Sequence, residues 1–210
     1  MSWENSLGLL KYNARIVCRS NVLVSIVYSI ILPFFVGYRL LNWVEAARIS
    51  ELLLTLPGII IMTSLVEVDF SAGMAELVST KKKDKGSIFL YRILIGLALM
   101  AVVIGLSQGW MLLQGSNFPS WQFFSGTLVT SLFLGLLGIT AANLTGNIIA
   151  GYLIAFSYYL LEFMSGGRYT GPLYLFSLIK GVYQPKLYFL GGILLLILFN
   201  YFLLQRRNIS

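Results

Sequence analysis

Histidine is missing from this chain altogether. Its absence removes serine hydrolases that rely on a histidine base, most zinc enzymes, and haem held by histidine. The single cysteine, Cys18, excludes an internal disulfide and reads as a small apolar residue at a membrane edge. No glycine-rich loop ends in Gly-Lys-Ser/Thr, so nothing here would cradle nucleotide phosphates. Charge is scarce too. Only 11% of the 210 residues are charged, against about 25% in soluble domains.

Apolar residues fill the gap. They make up 58% of the chain, and runs of about twenty recur along its whole length, the number a helix needs to cross hydrocarbon. A helix satisfies its own backbone polar groups, which is why lipid tolerates it. The runs are too long for barrel strands and show no alternation of period two. The first twenty residues hold neither the short apolar core nor the small-residue cleavage site of a secretory leader. The expected fold is an all-α membrane protein, one domain over residues 1–210 without a separate soluble unit.

Its spans are expected at about 22–42, 50–68, 88–113, 122–142, 148–165 and 187–204. Before them, residues 1–20 place Trp3, Leu7, Leu10, Ala14 and Val17 at helical spacing, away from Glu4, Lys11 and Arg15. That pattern predicts an amphipathic helix lying in the membrane interface. Pro33 and Pro57 are expected to interrupt the first two spans, and Trp43, Glu45 and Arg48 to lie in the connector between them.

The net charge of +7 raises nucleic acid as a partner, but the bases cluster at the ends of apolar blocks and form no stripe with aromatics. Membrane topology accounts for them. Lys11, Arg15, Arg19, Lys81, Lys82, Lys83, Lys85, Arg92, Arg206 and Arg207 fall on one side, and Arg39, Arg48, Arg168, Lys180 and Lys186 on the other. Basic loops stay inside, which predicts both termini in the cytoplasm of a multi-pass plasma-membrane protein. The connector holding Lys81, Lys82, Lys83 and Lys85, with Arg92 opening the next span, is the strongest topological signal.

Between the second span and those lysines runs "DFSAGMAELVST", with Met74, Leu77 and Val78 at helical spacing, Gly73 at the start and Glu76 facing elsewhere. It reads as a short amphipathic helix. Here the chain resembles the permease subunits of type-2 ABC transporters, in which an interfacial helix precedes six spans. In that family the loop between the second and third spans carries an acidic residue, a glycine, a Glu-Leu pair, bases and an arginine. Glu67, Gly73, Glu76 with Leu77, the lysines at 81–83 and Arg92 occupy those positions. Where the family has a proline after the Glu-Leu pair, this chain has "STKKKDKG".

The resemblance implies that Gly73, Met74, Glu76, Leu77 and Val78 belong to a coupling helix docked on a separate ABC ATPase subunit. Two copies of that subunit would bind ATP and Mg, and this chain would hold no cofactor. A second permease subunit, identical or related, would complete the complex. Nothing resembles the cytoplasmic loop of uptake permeases, so the resemblance favours export. The cargo would be hydrophobic or amphipathic: a small peptide such as a bacteriocin, a drug or a lipid. It also implies two short helices dipping into the outer leaflet between the fifth and sixth spans, where "TGPLYLFSLIKGVY" offers Pro172 to open one and Gly181 to break it.

Two features stay open on residues alone. Glu162 either reaches the outer interface where the fifth span ends, or pairs with Arg168 or lines an outer exit. Gly105 and Gly109, Gly135 and Gly138, and Ala142 with Gly146 form small-residue notches that suit packing within one subunit or between two. Glu67, Asp69 and Glu76 read as a solvated face and not as a catalytic pair, so the chain is expected to be a transport subunit and not an enzyme. The competing expectation is an ATP-independent six-span protein such as an immunity factor or a small channel.

Overall fold

The structure, a computed structural model, describes residues 20–67 and 85–206. The interfacial helix expected over 1–20, the coupling residues Gly73 to Val78, and Lys81, Lys82 and Lys83 lie outside the described residues, apart from the backbone of Ser20. All described regular structure is helical.

Helix α1 (Ser20–Val36) carries Pro33 in its last turn and stops at Gly37, whose φ of +68° suits a residue without a Cβ. Residues 37–42 are therefore not helical, although their apolar character extends the expected first span over them. The next helix starts earlier than expected. Asn42 and Glu45 form a reciprocal capping box: the Glu45 amide donates to Asn42 Oδ1 and the Asn42 amide to Glu45 Oε2, each at 3.0 Å. Trp43, Glu45 and Arg48 thus belong to helix α2 (Trp43–Arg48), which runs through a π turn (Ile49–Leu53) into α3 (Leu56–Ser64). Together these form one rod, Trp43–Ser64.

Four long helices follow: α4 (Lys85–Leu113), α5 (Ser120–Thr145), α6 (Ile148–Ser165) and α7 (Gln184–Arg206). Asn147 accepts from the Ile149 amide at 2.9 Å and caps α6, while Gly146 ends α5 in the left-handed region, so these two antiparallel helices need almost no loop. Five helices among the described residues are long and apolar enough to cross a membrane: the Trp43–Ser64 rod, α4, α5, α6 and α7. The described part of helix α1 is apolar but shorter, with 17 residues.

The core runs along α3 and α5, where Ile59, Ile61, Met62, Leu134, Leu136 and Ile139 are fully buried. Lipid tails are as apolar as leucine, so what holds such helices together is close packing. Gly58 and Gly135 permit it. A Cβ on Gly135 would lie 2.3 Å from Met62 Cβ, and one on Gly58 would lie 2.5 Å from Ser131 Cβ. Gly135 and Gly138 are therefore used within the chain, against α3, whereas nothing lies within 4 Å of the space a Cβ would take on Gly109.

The helices alternate in direction, giving the bundle two ends. One holds Leu65, Arg92, Gly146 and Arg206. The other holds the loop 37–42, the loop 114–119 and the segment 166–183. At this second end the two loops interlock: the Leu40 amide donates to the Gln114 carbonyl at 3.2 Å, and the Asn117 amide to that of Leu41 at 3.3 Å. Ser116 Oγ bridges them, accepting from the Leu41 amide and donating to the Tyr38 carbonyl.

Candidate functional site

A proline cannot donate to the carbonyl four residues back, and Pro57 leaves that of Leu53 without its helical partner. The Tyr28 hydroxyl of α1 takes it at 3.3 Å. One turn earlier the Leu54 amide reaches back five residues to Ile49, which makes the π turn, and the Tyr159 hydroxyl of α6 donates to the Leu52 carbonyl at 2.7 Å. The rod is thus broken open in mid-course and repaired by tyrosines from two neighbours. π turns of this kind concentrate at functional sites.

Glu51 sits in that π turn and is wholly buried. Its carboxylate Oε1 pairs with the ammonium of Lys186, in the first turn of α7, which is equally buried. A buried ion pair tolerates its loss of water only when the remaining donors and lone pairs are occupied. They are. Lys186 Nζ also donates to Thr130 Oγ1 of α5 at 2.7 Å and to the Leu175 carbonyl at 2.6 Å. Glu51 Oε2 accepts from the amides of Leu178 and Ile179 at 2.8 and 3.3 Å. Beside the pair, Gln108 of α4 donates to Ser50 Oγ and lies 3.5 Å from Thr127 Oγ1.

Glu162 is a further buried carboxylate at the same end. Its Oε2 accepts from the Leu175 amide and from Thr170 Oγ1, both at 3.1 Å, while Arg168 is exposed. The carboxylate therefore turns inward to the segment 166–183 instead of reaching the rim or pairing with Arg168. That segment folds as two 3-10 turns, Gly171–Leu173 and Ser177–Lys180, with Leu175, Phe176 and Leu178 buried and Leu173 exposed. Gly181 ends the second turn with φ +72°. Tyr174 lies in the field of both carboxylates: burial pushes its hydroxyl above the usual phenol range, and Glu51 and then Glu162 add to the shift.

Helix dipoles explain none of this placement. Cations are favoured at C-termini and anions at N-termini, yet Lys186 opens its helix and Glu162 closes one. Their common partner is the backbone of residues 175–179.

Of the basic residues assigned to topology, Arg92 is buried, and its Nη1 donates to the Leu65 carbonyl at 3.1 Å at the end of the rod. Lys85 begins α4. Lys186, counted among the bases of the opposite side, is neutralised inside the bundle and adds no free charge to a loop. Sequence reasoning passed over Glu51 as part of the second span. A lone carboxylate inside one apolar run and a lone lysine opening another, both near the same end, was the signal available.

No protein-family model, no curated protein and no solved structure matches this chain.

Proposed function

We propose that this chain is the membrane-spanning permease subunit of an ATP-driven ABC exporter. In this reading α1 is the sixth span, the termini and the lysine-rich connector lie in the cytoplasm of a plasma-membrane protein, and the charged cluster faces outward. Two permease subunits and two ATPase subunits make the working unit. ATP closes the ATPases, the motion enters through the helix around Gly73 to Val78, and the bundles rock about a path at the permease interface. The cargo is hydrophobic or amphipathic, as a small peptide, a drug or a lipid is.

One observation carries this reading furthest. The segment between the last two spans is folded back into the bundle, with Leu175 and Phe176 fully buried, at the end opposite Arg92 and the start of α4. That matches what the family resemblance implies for the outer leaflet. Affinity purification in mild detergent tests it: an ATPase co-purifies, and Glu76→Arg or Leu77→Asp removes it. If both variants keep the ATPase bound and ATP turnover intact, the coupling assignment fails. A chain that performs its full activity alone, without nucleotide, belongs instead with ATP-independent membrane proteins such as immunity factors or small channels.

A further inference from the structure

Segment 166–183 already packs apolar side chains into the core, where Leu175, Phe176 and Leu178 are buried. Buried ion pairs are commonly no more stabilising than apolar side chains of the same size. The charges therefore need another reason to be there. What they grip is informative: Glu51 holds the amides of Leu178 and Ile179, Glu162 the amide of Leu175, and Lys186 the carbonyl of Leu175. Each of these is a backbone group that an α-helix or a sheet would satisfy internally. Apart from the Ile179 amide, which also donates to the Phe176 carbonyl at 3.3 Å, the segment leaves them to three separate helical elements.

The segment is bounded by glycines in the left-handed region, Gly166 and Gly167 with φ of +58° and +81° and Gly181 with φ +72°.

We infer that Glu51, Lys186 and Glu162 form a releasable latch on segment 166–183, which is the moving closure of this end of the bundle. Shut, the ions are dry and every oxygen and proton of the Glu51–Lys186 pair is occupied. Lifted, the same ions meet water and are stabilised by it, so the open form carries no stranded charge. An apolar catch would lack that second resting state, because opening would only expose hydrocarbon. The grip on backbone also makes the catch insensitive to side-chain detail within the segment.

The latch is tested by thiol labelling of the full chain in lipid nanodiscs, with Cys18→Ser removing the native thiol. Ser177→Cys, at a buried site in the segment, reports release. Ser131→Cys, at the buried contact of α5 with α3, reports loosening of the whole bundle. The double variant Glu51→Gln/Lys186→Met removes both charges together and strands neither. It should raise the labelling rate at Ser177→Cys by about tenfold or more, the expected loss for hydrogen bonds to charged groups, with Ser131→Cys unchanged. Glu162→Gln, the milder variant, should shift the rate in the same direction by less, and it decides the matter if the double variant aggregates. An unchanged Ser177→Cys rate overturns the latch, and so does a parallel rise at Ser131→Cys. The readout needs neither nucleotide nor a partner subunit, so it can fail or succeed independently of the permease assignment.

Discussion

Apart from Arg92, which donates to the Leu65 carbonyl, the two ends of the bundle bury polar groups in opposite ways. At the Arg206 end, Asn200 of α7 accepts from Asn143 of α5 at 2.8 Å and donates to Thr140 at 2.7 Å. Both helices are regular there, the partners are neutral, and the network ties side chain to side chain. At the other end, ions tie helices to irregular backbone. The difference teaches what each network is for. An amide pair between two straight helices fixes their register at small cost, since neutral groups lose little on burial when bonded. Ions cost much more to bury, and they hold a segment that two straight helices do not need.

The largest expected effect follows from breaking the ionic end asymmetrically. Lys186→Met leaves Glu51 charged and alone in the core, and should cost about 3–5 kcal/mol in reversible unfolding in detergent. Adding Glu51→Gln should recover most of that loss. If the single variant is no worse than the double, the pair is not ionic in the folded protein.

A variant midway between the ends sets the scale. Gly135→Leu would drive a side chain into Met62, whose Cβ lies 2.3 Å from the position a Cβ would take, and should cost about 1–3 kcal/mol by overpacking. The loss should reach both ends alike, seen as faster labelling of thiols placed at each. A change confined to one end would show that α3 and α5 do not act as a single spine.

The smallest effect is expected at the amide end. Asn200→Leu strands Asn143 but no charge, and should cost about 0.6–1.7 kcal/mol, the range for hydrogen bonds between membrane helices. A loss as large as that of Lys186→Met would erase the distinction between the ends.

The apolar runs made the helical membrane character legible at once, because only a helix hides so much backbone in so much hydrocarbon. Boundaries were harder to read. Residues 37–42 look like membrane sequence yet leave the helix at Gly37, while Trp43 to Arg48 look like a connector yet are helical. In the second case the signal was present: the capping box spelled by Asn42 and Glu45 marks a helix start. The ion pair was out of reach for a different reason. Glu51 and Lys186 are 135 residues apart, and only the packing of the rod against α7 brings them together. The folding back of 174–178 could be anticipated from its apolar side chains. What holds its backbone could not, because amides and carbonyls leave no mark in a residue code.

The unequal lengths of the helices bear on the surrounding lipid. At about 1.5 Å per residue, the 18 residues of α6, bounded by Asn147 and Gly166, rise roughly 27 Å and the 26 residues of α5 roughly 39 Å, on either side of a hydrocarbon slab near 30 Å. A long helix can lean to fit, but a short one forces the acyl chains beside it to shorten. The rim of this protein would then be pinched along α6, and reconstitution into shorter-chain phosphatidylcholines should relieve the pinch first.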